Sequence, residues 1–163
     1  MKTSLALGLI VIVVIVGASG WYYYATHHGP VQNSASSCSD PNSISDHIYN
    51  PSRLEIVRAC VTVAGLVDTV IPERDGDYHI WLNLDAAYHD LNNDPSIHGG
   101  DLVVEIICVG SVSQPDAITS CQGYTNHITI PGSGQHITVS GPYVYDTAHD
   151  WYEVHPVYSL VVS

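Results

Sequence analysis

The sequence predicts an all-β domain with one short helix, preceded by an N-terminal apolar segment. Several runs rich in β-branched residues alternate apolar and polar positions, which is typical of half-buried strands. Two of these runs carry a glycine near the middle, as strands do where a small sheet bends or bulges. The chain shows no internal repeat and no long amphipathic helical pattern. We therefore expect one domain, of roughly 100 to 130 residues, built around a single core.

Residues 1–24 form the apolar segment, in which Lys2 precedes an uncharged stretch that ends in Trp21-Tyr22-Tyr23-Tyr24. As a helix, residues 5–24 would be about 30 Å long, which matches the hydrocarbon core of a membrane. The aromatic cluster suits a membrane interface, and Lys2 places the N-terminus in the cytoplasm. We favour a retained single-pass anchor with an extracytoplasmic C-terminal domain. The alternative is a signal peptide that is cleaved after Ala18, leaving a secreted protein.

Residues 25–50 are rich in Ser, Asn, Pro and Gly and predict a flexible polar stalk, so the domain comprises residues 51–163. Gly65 predicts a bulge or bend in the first strand, and Gly141-Pro142 predicts a bulge or edge position in the fourth. Helical structure is expected as a turn at residues 86–92 and as a short helix at 114–122. The five strands are expected at residues 60–70, 78–84, 102–109, 134–145 and 152–162.

This order of elements resembles the OB-fold, a five-stranded Greek-key barrel with a bent first strand and a helix between strands three and four. The motifs D-G-D-x-H (residues 75–79) and W-x-E-[IV]-H-P (residues 151–156) also resemble an uncharacterised prokaryotic family of small OB-like domains. The resemblance implies a fold and implies no activity.

Cys38, Cys60, Cys108 and Cys121 predict two disulfides, because the domain is expected to be exported. Three pairings are possible. Cys108 with Cys121 would close a short loop, and Cys38 with Cys60 would tie the stalk to the first strand. A thiolate metal site is the alternative, but the spacing contains no C-x-x-C element.

The charge balance argues against nucleic acid as a partner, since sixteen acids stand against four basic residues. The turn Asp75-Gly76-Asp77 is similar to the turn in staphylococcal-nuclease-like OB proteins that helps to hold Ca²⁺ beside phosphate-clamping arginines. No arginine follows Arg74, however, so the transition state of phosphodiester cleavage would lack a basic clamp. We therefore do not favour a nuclease.

Two short segments, residues 75–79 and 146–156, concentrate the carboxylates and imidazoles that could carry chemistry. In an OB barrel the loop between strands one and two and the loop between strands four and five lie near each other. Carboxylate and imidazole ligands suit Zn²⁺, Mn²⁺ or Ca²⁺. The alternatives are turn chemistry for the aspartates and packing for the tryptophans. The candidate metal ligands are Asp75, Asp77, His79, Asp146 and His149, and the candidate ligand-binding residues are Trp81, Trp151, Glu153 and His155.

The function that these patterns favour is a membrane-tethered extracytoplasmic binding or interaction module that binds a divalent metal or a small polar ligand. A metal-dependent hydrolase with His79 or His149 as ligand or general base is one alternative. A structural subunit of a cell-envelope assembly, with another envelope protein as partner, is the other. The chain contains no G-x-S-x-G elbow, P-loop, H-E-x-x-H or dinucleotide-binding pattern, so no established catalytic motif supports an enzyme.

Overall fold

A computed structural model describes residues 38–163, and within them β-strands predominate, as the sequence predicts. Helical structure in this part of the chain is limited to short 3₁₀ segments, at Pro41–His47, Pro51–Arg53, Ala86–Leu91, His98–Gly100 and Pro115–Ala117. The strands are β1 (Leu54–Pro72), β2 (Tyr78–Leu84), β3 (Leu102–Ile106), β4 (His136–Asp146), β5 (Trp151–Val154) and β6 (Ser159–Val162).

Several boundaries differ from the expectation. β1 begins at Leu54, because residues 54–59 also pair with β4. The expected strand at residues 152–162 is two strands, β5 and β6, which pair with different neighbours. They separate at Pro156, which has no N–H to donate to a ladder. The expected helix at residues 114–122 is a single short turn, Pro115–Ala117.

Gly65 and Gly141 mark the points at which two long strands change partner. The first half of β1 pairs with β4, the second half pairs with β2, and Gly65 pairs with both. A Cβ atom on Gly65 would lie 2.3 Å from the carbonyl oxygen of Asn83. β4 pairs with β6 up to Ser140 and with β5 from Tyr143. A Cβ atom on Gly141 would lie 2.4 Å from the carbonyl oxygen of Pro156. Both glycines permit a close backbone approach where the sheet redirects a strand.

The strand pairings follow one another round a cycle. β1 pairs with β2, β2 with β3, β3 with β5, β5 with β4, and β4 with β1. The β3–β5 pair is parallel, whereas the others in the cycle are antiparallel. β6 adds to β4 outside this cycle.

The aliphatic core lies on one face of these strands. In β2 the alternation is as predicted, with Ile80, Leu82 and Leu84 buried in the core. In β3 every residue is buried, so its second face is covered as well. The core residues from the other strands include Val63, Val67, Val104, Ile106, Val139 and Val154.

Both disulfides are present, with the pairings Cys38–Cys60 and Cys108–Cys121 and Cα separations of 5.5 and 5.3 Å. Two disulfides indicate a domain that folds in an oxidising, extracytoplasmic compartment. The segment Pro41–His47 buries Ile44 against Ile107, so this part of the predicted stalk packs on the domain.

The predicted anchor at residues 1–24 lies outside the described residues. Across residues 38–163, none of the helices has the length and apolar character needed to cross a membrane.

Candidate functional site

The two acidic and histidine-bearing segments line the same cleft, which has a volume of about 290 Å³. Asp75 and His79 line it from the β1–β2 connection, and Ala148 and His149 line it from the β4–β5 connection. Arg53, immediately before β1, also lines it. The fold therefore brings together two segments that are about seventy residues apart in the chain.

The β1–β2 connection is a tight turn held by its own polar groups. The N–H of Glu73 donates to the carbonyl oxygen of Asp77 at 2.8 Å, and the N–H of Asp77 donates to Oδ1 of Asp75 at 3.2 Å. Gly76 has a φ of 96°, which glycine adopts without strain. The turn leaves Asp75 half-buried at the cleft and Asp77 buried.

Asp146 organises the β4–β5 connection. Its Oδ1 accepts the backbone N–H groups of Ala148 at 2.8 Å and His149 at 3.3 Å, and its Oδ2 lies 2.7 Å from Nδ1 of His149. The guanidinium of Arg53 also donates to Oδ2. Because both oxygens of Asp146 are engaged in this way, the carboxylate fixes the loop and the orientation of the His149 ring.

A buried ionic network lies on the face of β2, β3 and β5 that points away from the aliphatic core. Its central carboxylate is Glu105, whose side chain is fully buried. Oε2 of Glu105 lies 2.8 Å from Nε2 of His79 and 3.1 Å from Nδ1 of His155. These contacts are short enough for ion pairing, although their angles are poor for hydrogen bonds. Arg53 lies 3.8 Å from Oε1 of Glu105 and 3.8 Å from Oε1 of Glu153.

Electrostatics within the network favour charged histidines. Burial alone would lower the pKa of His155, but the negative charge of Glu105, together with the hydrogen bond and the charge of Glu153, outweighs burial and raises it to about 10. For His79, burial acts in the same direction and is outweighed chiefly by Glu105, so its pKa is raised to about 9. Burial would raise the pKa of Glu105, but the charges of His155 and His79 hold it well below its usual range.

Asp77 joins the network to the Cys108–Cys121 disulfide. Its Oδ1 accepts the backbone N–H of Cys108 at 2.6 Å. Burial, followed by the negative charges of Glu105 and Asp75, raises the pKa of Asp77 to about 8. Asp75, Asp77 and Glu105 lie close together: one carboxylate oxygen of each is within 4.8 Å of a carboxylate oxygen of both others.

Both candidate tryptophans pack beside the network. Trp151 donates its Nε1–H to Glu153 at 2.9 Å and stacks on the His149 ring, with centroids 4.6 Å apart. Trp81 is buried, meets Trp151 edge-on at 5.3 Å and stacks on His98 at 4.5 Å. Trp81 therefore has a packing role, whereas Trp151 supports the cleft residue His149.

The structure divides the residues predicted from sequence into separate groups. Asp75 and Asp77 lie together, and they approach Glu105 of β3. His79 adjoins Glu105, while Asp146 and His149 form a separate pair. Glu153 and His155 are both buried in the ionic network, with Nδ1 of His155 2.8 Å from Oε1 of Glu153.

Two members of the network, Glu105 and Arg53, were not predicted as site residues. A signal for Glu105 exists in the sequence, because it is the single charged residue in the apolar run LVVEIICV. A lone acid inside such a run is buried with partners more often than left alone. Arg53 precedes its strand without a comparable signal.

Comparisons of the chain with family models, with curated proteins and with solved structures each find no match. Its function is therefore inferred from the cleft and the network beside it.

Proposed function

We propose that the chain is an extracytoplasmic binding module, tethered by residues 1–24, that binds a small cationic ligand in the cleft between the β1–β2 and β4–β5 connections. The observation that carries the proposal is the cleft itself, which both acidic segments line. Ligand pockets of about 300 Å³ or more commonly hold small molecules.

The proposed scaffold is an OB-like barrel with an additional strand, β6. The cyclic order of pairings and the parallel β3–β5 pair support it. OB-folds bind ligands next to the loops that join strands one and two and strands four and five. The cleft occupies the corresponding position in this chain.

The charges at the cleft favour a cation. Arg53 pairs with buried carboxylates, and His79 pairs with Glu105. Neither side chain is therefore available to attract an anion. Glu73 and Asp75 place two carboxylates at the cleft. Oε1 of Glu73 lies 3.8 Å from Nδ1 of His79, which is too far for a hydrogen bond. Tyr49 also lines the cleft, and aromatic rings of this kind attract organic cations. The acidic surface of the protein as a whole raises the local concentration of cations.

The test is an NMR titration of the full-length chain with choline, using the neutral isostere 3,3-dimethylbutanol as the control ligand. We expect choline to shift the signals of His149 and the Trp151 indole, and the neutral isostere to leave them unchanged. Asp75→Asn should weaken binding, whereas Glu55→Gln, an exposed acid on β1, should not. Equal shifts from both compounds, or no shift from either, would refute a cation-binding cleft.

A second candidate, a hydrolase, is favoured by the His149–Asp146 pair. The carboxylate of Asp146 lies 2.7 Å from Nδ1 of His149, which leaves Nε2 to act as a base. Burial and then the charge of Arg53 lower the pKa of His149, which favours the neutral imidazole. Hydrolysis of 4-nitrophenyl acetate that is lost in His149→Gln and retained in His127→Gln would support this candidate. A wild-type rate equal to that of buffer would exclude it for simple esters.

A further inference from the structure

Three carboxylates meet at the cleft-side end of the ionic network. Asp75 and Asp77 come from the β1–β2 turn, and Glu105 comes from β3, beside His79 in the strand register. One oxygen from each lies within 4.8 Å of those of the other two. The exposed fraction is 2% for Asp77 and 0% for Glu105, whereas Asp75 is half-buried and lines the cleft. The group is thus buried on one side and accessible on the other.

A second and independent observation concerns Glu105. Its Oε1 is buried and accepts no hydrogen bond within residues 38–163, and Nη2 of Arg53 lies 3.8 Å away from it. Buried carboxylate oxygens are nearly always hydrogen-bonded or bound to a metal, because leaving one unpaired is energetically costly. The two imidazoles beside Glu105 contact the other oxygen, Oε2. Oε1 therefore lacks the partner that its burial requires.

Mutual repulsion adds to this requirement. Ionising all three carboxylates at such short separation is costly, and the low dielectric of a buried site strengthens the effect. A divalent cation between them would offset that cost and supply a partner for the Glu105 carboxylate.

The donor atoms select the class of cation. All three side chains supply oxygen, and oxygen ligands suit Ca²⁺, Mg²⁺ and Mn²⁺. The nearest sulfur atoms belong to Cys108 and Cys121, which form a disulfide and so offer no thiolate. Zn²⁺ sites in proteins are built mainly from thiolate and imidazole ligands, and the nearest imidazole, His79, already faces Glu105 through Nε2.

We infer that Asp75, Asp77 and Glu105 bind one hard divalent cation of the Ca²⁺, Mg²⁺ or Mn²⁺ class, with Asp75 as the ligand that the cleft exposes. This inference rests on the proposed cation-binding cleft and assigns its inner part to a metal ion. Three protein carboxylates leave further coordination positions to water or to a ligand in the cleft. We expect a Kd of ~10⁻⁴ to 10⁻³ M, as for other extracellular calcium sites.

The test is isothermal titration calorimetry of the full-length chain, stripped with EDTA, against CaCl₂, MgCl₂, MnCl₂ and ZnCl₂. The expected result is binding of one ion of the hard class per chain. Asp75→Asn should weaken it at least tenfold, because the variant loses the charge but keeps the oxygen that accepts the N–H of Asp77. Asp90→Asn is the matched control, since Asp90 is exposed and pairs with Arg58 on the surface; it should bind as the wild type does.

The variant Asp75→Asn is preferred to Glu105→Gln, which risks unfolding the network. Circular dichroism of each variant establishes that it is folded. Absence of binding by the wild type, unchanged affinity in Asp75→Asn, or a preference for ZnCl₂ would each overturn the metal site. If choline still binds while no divalent ion does, the metal site fails and the cation-binding cleft stands. If neither binds, both fail.

Discussion

Arg53→Met tests whether the buried network stabilises the domain. The side chain of Arg53 is 11% exposed, and the carboxylates of Asp146, Glu105 and Glu153 around it are all 0% exposed. Removing one partner from a buried ionic group typically costs about 3 to 5 kcal/mol, because the remaining charges stay buried without compensation. Methionine retains most of the apolar stem, so the loss reports on the guanidinium group.

The chain supplies a matched control in Arg58. Its side chain is 44% exposed and lies 3.2 Å from Asp90, which is 60% exposed. Such surface pairs contribute about 0 to 1 kcal/mol. We therefore expect Arg53→Met to lower the free energy of unfolding by at least 2 kcal/mol more than Arg58→Met does.

Urea is the appropriate denaturant, since it is uncharged and does not screen ion pairs. Unfolding of the full-length chain, with its disulfides intact, can be followed by the fluorescence of Trp81 and Trp151. With a slope of roughly 1 to 3 kcal/mol per molar urea, a difference of 2 kcal/mol lowers the midpoint of Arg53→Met by about 0.7 to 2 M relative to that of Arg58→Met. Equal midpoints for the two variants would refute the reasoning that the network stabilises the fold.

Three other predictions concern pH, a disulfide and a glycine. In EDTA, the free energy of unfolding should fall as pH rises from about 6.5 to 10. His79 and His155 have folded pKa values of about 9 and about 10, against 6.5 in the unfolded chain, so the folded state binds more protons in this range. Urea midpoints that stay level across it would contradict the prediction. The Cys108–Cys121 disulfide spans 13 residues, so replacing both cysteines with serine should lower the free energy of unfolding by about 3 kcal/mol. The loss is measured as a lower Tm, and an unchanged Tm would contradict the prediction. Gly65→Ala should lower the free energy of unfolding in urea by about 1 to 3 kcal/mol. Gly132→Ala is the control and should be close to neutral, because its Cβ atom would meet nothing closer than 3.7 Å. Similar losses in both variants would show that the close approach at Gly65 is easily relieved.

The sequence predicts strands well where one face is solvated and the other buried, and less well elsewhere. β2 lies where its alternation places it, at Tyr78–Leu84. In β3 the same alternation places Glu105 on the face opposite Val104 and Ile106, and that face is buried as well because side chains from distant parts of the chain cover it. Burial of the second face of a strand depends on the tertiary structure. The alternation of apolar and polar residues along the strand, which repeats every two residues, carries no information about it.

The candidate site shows the same limit. The resemblance to the OB-fold predicted that residues 75–79 and 146–150 converge, because in that fold the loop between strands one and two lies near the loop between strands four and five. It could not predict that Asp146 is held by Arg53 or that Glu105 joins Asp75 and Asp77. Such contacts depend on strand register, which the sequence of a single strand does not determine. The resemblance to an OB-like family stays a prediction.

The pairing of β1 with β4 has a consequence for how the chain folds. Leu54 pairs with Asp146 and Val61 pairs with Gly141, so the partner strands are far apart in the chain. Proteins dominated by such non-local pairing fold slowly, in milliseconds to seconds, because loop closure must precede the stabilising contacts. During vectorial export from the N-terminus, the first half of β1 would emerge long before its partner. Over that interval its unpaired backbone and the apolar side chains of Val61 and Val63, which the folded domain buries, would be available to chaperones or to aggregation.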